Sequence, residues 1–326
     1  MSAIVEVDQL TRTFGEVTAV DHVSFTVQEG EIFGFLGPNG AGKSTTIQIL
    51  ATLLPPTSGT ARLAGFDVRK HAVEVRRQIG IVFQDPSLDS RLTAEENLRF
   101  HARLYGVPAD VYRRRSEELL AMMGLADRRR SLVATFSGGM KRRLEIARGL
   151  LHHPRVLFLD EPTVGLDPQT RAAIWDYVKR LRDETGVTIF MTTHYLDEAE
   201  HCDRIAIIDH GRVVALDTPA ALKRGLGGDV IYLRGPDLAG LAARLKQEFG
   251  LDAEVADGRL VIRTADAASL APRILAGVGT GVESLEIKQP TLDDVFLSLT
   301  GRAIRDEEAS PTDSVRAHAR MWRNRR

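Results

Sequence analysis

The stretch Gly37-Pro38-Asn39-Gly40-Ala41-Gly42-Lys43-Ser44-Thr45 decides the interpretation of the chain, because it fits the pattern G-x-x-x-x-G-K-[ST]. Residues 31–36 before it are typical of a buried strand, and residues 45–50 after it are typical of a helix. In this context the glycines let backbone N–H groups point at phosphate oxygens, and the helix N-terminus adds positive charge. We expect Lys43 to reach the β- and γ-phosphates of a nucleoside triphosphate and Ser44 to ligate Mg²⁺.

A pair of carboxylates, Asp160 and Glu161, follows a second buried strand at residues 156–159. His194 follows the end of another predicted strand, residues 187–191. Alternation of buried strands with helices favours a mostly parallel, doubly wound sheet, and ligands of such sheets bind beyond the carboxyl ends of the strands. A carboxylate pair in that position is typical of residues that hold Mg²⁺ and the attacking water.

A second candidate anion site lies at Ser137-Gly138-Gly139-Met140, called here the signature segment. It opens a helix predicted to end near Leu151, so free N–H groups and a serine hydroxyl are available to an anion. Phe14, between the first two predicted strands, is either an ordinary packed aromatic residue or a ring that stacks on adenine. The residues themselves leave both interpretations open.

Composition indicates a globular protein: 326 residues, 43% hydrophobic and 27% charged, with a net charge of −1. This charge gives no general attraction to nucleic acid or anionic lipid. No apolar run approaches the roughly 18 residues needed to span a bilayer, and we expect no secretory signal. Cys202 is the single cysteine, which excludes an internal disulfide and suits a reducing cytoplasm.

The chain is predicted to contain a nucleotide-binding domain over residues 1–222 and an α+β domain over residues 223–300. In the second domain the predicted order is β-α-β-β-α-β with a hairpin turn at Asp257-Gly258, which matches a ferredoxin-like arrangement. Residues 301–326 are interpreted as a flexible charged tail. Its arginine-rich end is most simply a charged terminus, with contact to phospholipid headgroups as the alternative.

Several of these features, taken in order, resemble the ATP-binding cassette of ABC transporters over about residues 4–222. They are residues 37–45, Gln84, Ser137-Gly138-Gly139, Asp160, Glu161, Asp167 and His194. The resemblance implies an α/β P-loop cassette in which a mostly parallel sheet is joined by antiparallel β and helical subdomains. It implies ATP and Mg²⁺ as cofactors and ATP hydrolysis as the activity.

The resemblance also implies a role for each matching residue in one ATP site. Phe14 would stack on adenine, and residues 37–45 would bind the phosphates. Ser44, Gln84 and Asp160 would hold Mg²⁺, and Gln84 would also contact the attacking water and link ATP to a membrane subunit. Glu161 would act as general base, and His194 would contact the γ-phosphate.

Other matching residues imply a second copy of the chain. Ser137, Gly138, Gly139 and Met140 would complete the ATP site of an opposite subunit, and Asp167 would cross the dimer interface. Met140 stands where the family most often has Gln, and with the following basic residues it resembles exporters of the daunorubicin/doxorubicin-resistance type. The stretch Pro290-Thr291-Leu292-Asp293-Asp294-Val295-Phe296 resembles the same subgroup.

The subgroup resemblance implies an efflux pump for a drug-like or lipophilic compound. Its multi-span permease would be a separate polypeptide, and the ATPase would be peripheral on the cytoplasmic face of the membrane. An importer ATPase is the alternative, and a soluble ABC ATPase acting on ribosomes or DNA is disfavoured by the single glycine loop and near-neutral charge. A zinc site from His194, His201, Cys202 and His210 is disfavoured because their spacing matches no zinc pattern.

Overall fold

The computed structural model describes residues 2–226, 228–256, 258–264, 266–278 and 281–301. They form two compact units, one reaching Leu216 and the other beginning at Asp217. This division falls a few residues before the predicted boundary at residue 222. Asp257 of the predicted hairpin turn and the predicted tail from residue 302 onward lie outside the described residues.

The strands of the first unit form two sheets. They are β1 (Ala3–Phe14), β2 (Val17–Gln28), β3 (Ile32–Leu36), β4 (Ser58–Leu63), β5 (Phe66–Asp67), β6 (Ile79–Val82), β7 (Val156–Asp160), β8 (Thr188–Thr193), β9 (Arg204–Asp209) and β10 (Arg212–Asp217, whose last residue opens the second unit). The four-stranded sheet has the order β2-β1-β4-β5 and is antiparallel. The six-stranded sheet has the order β10-β9-β3-β8-β7-β6. Strands β9, β3, β8, β7 and β6 pair in parallel, as predicted.

The helices of the first unit are α1 (Lys43–Leu50), α2 (Ala72–Gln78), α3 (Ala94–Leu104), α4 (Ala109–Met122), α5 (Gly138–Leu150), α6 (Pro168–Thr185) and α7 (Leu196–Ala199). Helix α3 begins with a capping box formed by Thr93 and Glu96. The Thr93 N–H donates to Glu96 Oε2 at 2.8 Å, and the Glu96 N–H donates to Thr93 Oγ1 at 3.2 Å. Each partner satisfies a backbone donor that the helix start leaves open.

Aromatic packing joins the two sheets. Phe25 of β2 lies against Phe33 and Phe35 of β3 and Phe190 of β8, with ring centroids 5.4 to 5.9 Å apart. All four side chains are buried, and full burial of such a side chain contributes roughly 1.5–3 kcal/mol. Since every residue of β3 is buried, the strand that leads into residues 37–45 is fixed from both faces.

The second unit contains α8 (Pro219–Arg224), β11 (Asp229–Arg234), α9 (Leu238–Phe249), β12 (Glu254–Ala256), β13 (Arg259–Thr264), α10 (Ala267–Val278), β14 (Ser284–Lys288) and α11 (Leu292–Thr300). From β11 to β14 the element order is the predicted β-α-β-β-α-β. The sheet is antiparallel with the order β12-β13-β11-β14, which puts the first and third strands in the centre. Alternate residues such as Ile231, Leu233, Leu260 and Ile262 point into one core with Leu245. None of the described helices is long and apolar enough to cross a membrane.

Candidate functional site

Residues 37–45 connect β3 to α1, and two of their glycines are required by close backbone approach. A Cβ on Gly37 would lie 2.3 Å from Ile208 O, and one on Gly42 would lie 2.3 Å from Ala19 O. Gly42 also has φ 105° and is the N-cap of α1, a conformation that favours glycine. The N-terminus of α1 therefore opens directly into the loop, as a phosphate site requires.

Lys43 is the first residue of α1, and its ammonium group is buried inside the loop. Its Nζ donates to Gly37 O at 2.8 Å and to Pro38 O at 3.1 Å. It also lies 3.1 Å from Glu161 Oε1, and the Lys43 side chain is only 5% exposed. The loop therefore surrounds a buried positive charge whose carboxylate partner comes from the end of β7.

Asp160 ends β7 and shares its Oδ1 between two hydroxyl groups. Thr192 Oγ1 donates to it at 2.6 Å, and Ser44 Oγ donates at 3.2 Å. Burial raises the pKa of Asp160, although these hydroxyl groups act in the opposite direction. A buried carboxylate beside a serine hydroxyl offers the hard oxygen ligands that Mg²⁺ prefers, and the cation's charge would offset the cost of burial.

Glu161 faces His194 and Lys43 with the same oxygen. His194 Nδ1 lies 3.3 Å from Glu161 Oε1, an ion-pair distance without hydrogen-bond geometry. Burial acts to raise the pKa of Glu161, but His194 and the Lys43 charge outweigh it, so the pKa lies below its ordinary value. Glu161 is therefore ionised at neutral pH. Its φ of 47° is unusual for a residue other than glycine, and such strain recurs at functional sites.

The structure thus brings Lys43, Ser44, Asp160, Glu161 and His194 together at the carboxyl edge of the parallel sheet. Thr192 was not singled out from the sequence as a site residue. Its hydroxyl accepts from the Glu161 N–H at 3.0 Å while it donates to Asp160 Oδ1, so it contacts the carboxylate of one residue and the main chain of the next. Its place at the end of a buried strand was the one signal available in the sequence.

Gln84 and Phe14 both have exposed side chains. Gln84 lies in the segment after β6, and its carbonyl accepts from Arg142 Nη2 at 3.0 Å. Phe14 is the last residue of β1 and is 40% exposed, with the Arg12 guanidinium 4.5 Å from its ring centroid. The ring is therefore partly exposed and not buried in the core.

The signature segment lies at the exposed N-terminus of α5. Ser137 is the N-cap, and its Oγ accepts from the Met140 N–H at 3.3 Å. A Cβ on Gly139 would lie 2.4 Å from Thr170 Cγ2, so α5 begins in close contact with α6. Asp167 is the N-cap of α6 and accepts from the Thr170 N–H at 3.0 Å. These two helix starts lie side by side, and Ser137, Gly138 and Asp167 are exposed to solvent there.

The surroundings of Cys202 do not support the zinc alternative. Cys202 is buried, and a Cβ on Gly34 would lie 2.8 Å from its sulfur. Burial raises the pKa of this thiol, which disfavours the thiolate that zinc binds. Within the described ranges, no group of three or more His, Cys, Asp or Glu side chains could hold a metal ion.

Several known ATP-binding proteins are similar to this chain over most of its length. The family model for the ABC transporter matches residues 20–164. The chain is 43% identical to the daunorubicin/doxorubicin resistance ATP-binding protein DrrA of Streptomyces peucetius, over 95% of this chain and 97% of that protein. It is 39% identical to the linearmycin resistance ATP-binding protein LnrL of Bacillus subtilis (strain 168), over 93% of this chain and 100% of that protein. It is 40% identical to the Nod factor export ATP-binding protein I of Ralstonia nicotianae, over 93% of this chain and 95% of that protein.

Solved structures give the same result for the cassette. An ATP-binding subunit of an ABC transporter matches with a TM-score of 0.62 and 34% identity, over 69% of this chain and 93% of that one. A dimeric post-hydrolysis state of the cassette MJ0796, bound to ADP and Pi, matches with a TM-score of 0.59 and 30% identity, over 66% and 98%. The chain belongs to the family of ABC transporter ATP-binding proteins. It is an ATPase with the cassette fold predicted from its sequence.

Proposed function

We propose that this chain is the ATPase subunit of an ABC exporter that expels a drug-like or lipophilic compound through a separate multi-span permease. The supporting observation is its similarity, over nearly the whole chain, to ATP-binding proteins of drug resistance and of Nod factor export. These relatives do not favour the importer or the soluble alternatives. The subunit would lie on the cytoplasmic face of the membrane, with residues 1–222 as the cassette and residues 223–300 as an accessory domain.

In the proposed chemistry, Lys43 exchanges partners when ATP binds. Its ammonium now contacts Gly37 O, Pro38 O and Glu161. The γ-phosphate competes for this charge, because phosphate oxygens are stronger acceptors than backbone carbonyls. Glu161 then has an oxygen free to polarise the attacking water as general base. His194, on the same carboxylate, would contact the γ-phosphate.

Ser44, Asp160 and Gln84 would hold Mg²⁺. The Ser44 hydroxyl and the Asp160 carboxylate already share one hydrogen bond, so both oxygens face the same point. When bound, the cation supplies positive charge against the phosphates. Phe14, with an exposed ring at the end of β1, would stack on adenine.

The signature segment would complete the ATP site of a second copy. Ser137 and Gly138 are exposed at the start of α5, where N–H groups and the serine hydroxyl can receive phosphate oxygens. Cassette relatives of known structure are dimeric, which supports a homodimer. Two ATP molecules would then close the dimer, and hydrolysis would reopen it.

An apolar face of α3 is a candidate for contact with the permease. Phe100 is 61% exposed on this helix, and Leu104 one turn later is also exposed. The buried Asn97 of the same helix accepts from the Asp89 N–H at 2.9 Å and donates to Asp89 O at 3.0 Å. Helix α3 is therefore hydrogen-bonded to Asp89, which lies in the same connection between β6 and α3 as Gln84. Contact at Phe100 would couple the permease to the ATP site.

Copurification in mild detergent with the permease of the neighbouring gene tests this function. Phe100→Asp is expected to lose the permease and compound-stimulated hydrolysis, because it puts a charge on the apolar face. Basal hydrolysis by the isolated subunit should be unchanged. The control Val73→Asp, at a comparably exposed apolar residue of α2, should keep both. Full retention by Phe100→Asp would refute the docking face, and a wild-type subunit without a membrane partner would refute the exporter.

A further inference from the structure

Three side chains on one face of α5 hold the segment of residues 83–87, which includes Gln84. Arg142 Nη1 donates to Phe83 O at 2.6 Å, and its Nη2 donates to Gln84 O at 3.0 Å. The two hydrogen bonds use the planar fork of the guanidinium, which fixes direction as well as distance. Arg142 therefore determines where the main chain of Gln84 lies.

The other end of the segment is held from the same helix face. Glu145 Oε1 accepts from the Ser87 N–H at 2.7 Å. Arg148 Nη1 donates to Ser87 O at 2.8 Å. Because this segment is irregular, its backbone groups have no sheet or helix partners and depend on such side chains. Helix α5 thus supplies the hydrogen bonds that a regular element would supply for itself.

Arg142 and Glu145 are a buried ion pair. Arg142 Nη1 lies 3.2 Å from Glu145 Oε2, and the two side chains are 8% and 1% exposed. Apolar residues of similar size often stabilise such a position as well or better, so a buried pair is weak evidence for a role in stability. The contacts of this pair with residues 83–87 give it a different role.

We propose that Arg142 and Glu145 are positioning residues that set the place of Gln84 from the helix that begins at the signature segment. Ser137 caps α5, and Arg142 follows one turn into the same continuous helix. A shift of the signature segment on the ATP of a second copy is therefore passed along α5 to Gln84 in the chain's own site. This inference rests on the proposed role of Gln84 in hydrolysis.

A double-mutant cycle on the full chain tests the inference. Arg142→Lys keeps the charge that balances Glu145 but loses the fork that reaches both carbonyls. We expect it to lower kcat about tenfold with KM within about twofold, because it misplaces a group that acts in hydrolysis and leaves ATP binding intact. In a Gln84→Ala background, Arg142→Lys should change kcat less than about twofold, because its target is already absent.

Arg143→Lys is the matched control. Arg143 follows Arg142 on α5, but its Nη1 donates to Met123 O at 2.7 Å and to Tyr177 OH at 3.1 Å, away from residues 83–87. Whatever effect it has on kcat should be the same with and without Gln84. If thermal unfolding shows that Arg142→Lys does not fold, Arg148→Lys takes its place in the cycle with the same expected masking.

Three results would overturn the inference, and they differ in what they say of Gln84. If Gln84→Ala lowers kcat, and Arg142→Lys then lowers it further by the same factor as in the wild-type background, Arg142 does not act through Gln84. That is the behaviour expected of the control Arg143→Lys. If Gln84→Ala turns over like the wild type, the proposed role of Gln84 fails and the inference fails with it. Wild-type kcat in a folded Arg142→Lys chain would also show that Arg142 does not act through Gln84.

Discussion

Lys43 and Glu161 are best understood together, since each is buried and each is the other's partner. An ammonium and a carboxylate 3.1 Å apart neutralise one another, so the site can hold both charges out of water. In the proposed mechanism, ATP would bring a second set of negative charges to the same lysine. Binding and catalysis would then be divided between the two residues: Lys43 would bind phosphate, and Glu161 would act on water once Lys43 has turned to the nucleotide.

The substitution Glu161→Gln is expected to separate ATP binding from ATP hydrolysis. Gln keeps the size of the side chain but is a much weaker base, so we expect ATP binding to persist and hydrolysis to fall roughly 10²–10⁴-fold. The ATP-bound dimer should accumulate, which size-exclusion chromatography with and without ATP measures. Lys43→Ala should instead weaken ATP binding, because it removes direct phosphate charge. Near-normal turnover in Glu161→Gln would remove Glu161 from the role of base.

At this scale the sequence predicts residue types but not their partners. The loop, the carboxylates and His194 follow from a pattern and from strand ends. The hydrogen bond between Ser44 and Asp160 joins residues 116 positions apart, so a local sequence pattern does not predict it. Arg142 and Glu145 have the i, i+3 spacing of a helical ion pair. That spacing does not predict that the guanidinium and the carboxylate also form hydrogen bonds with the backbone of residues 83–87.

Among the elements, α3 is held to the rest of the fold by hydrogen bonds of one charged side chain, Glu95. Glu95 Oε1 accepts from Arg99 on the next turn at 2.8 Å and from Arg129, after α4, at 2.9 Å. The hydrogen bond from Arg129 has the largest effect on the pKa of Glu95, which lies below its ordinary 4.5. The carboxylate therefore stabilises the folded chain above about pH 4.5, and this contribution is lost as pH falls through the lowered pKa.

Glu95→Gln tests that contribution through its pH dependence. At pH 7 the variant should be less stable by about 1 kcal/mol or less, since its arginine partners are partly exposed. The difference from the wild type should shrink as the pH is lowered below 4.5, which urea unfolding at several pH values measures. Glu118→Gln is the control, because Glu118 and Arg114 are exposed and 3.9 Å apart. A pH-independent difference for Glu95→Gln would contradict the assignment.

Element types are predicted better than element ends. The alternation of Ile4 to Leu10 predicts a strand, but β1 continues to Phe14 and pairs with an equally long β2. The register between them shifts at several points, as between Val7 and Leu10. Each shift breaks the alternation on which strand prediction depends. The buried strands β3 and β7 have no such irregularity, and their predicted bounds agree with the structure within a residue.

For the whole molecule, we propose that each ATP site is completed by the signature segment of a second chain. Mixing Ser137→Arg chains with Lys43→Ala chains tests this. A mixed dimer would contain one intact site, built from Lys43 of one chain and Ser137 of the other. ATPase activity of the mixture should therefore exceed that of either variant. Random pairing of the chains would restore about a quarter of the sites at most.

The control mixture combines Lys43→Ala with Glu161→Gln. Both changes lie in the same half of the site, so every site of a mixed dimer keeps one of them. This mixture should remain inactive. Equal recovery in the two mixtures, or none in the first, would contradict a site shared between chains.

The buried position of Cys202 has a practical consequence. Thiol reagents attack the thiolate, and burial at Gly34 both shields this sulfur and raises its pKa. Since the sequence contains no other cysteine, we expect the folded protein to react with maleimides far more slowly than a protein with an exposed thiol. A cysteine placed at any exposed residue becomes a unique attachment point. Dyes or cross-linkers can therefore be placed on exposed residues outside the proposed ATP site, where they would report the distance between the two chains of the proposed dimer.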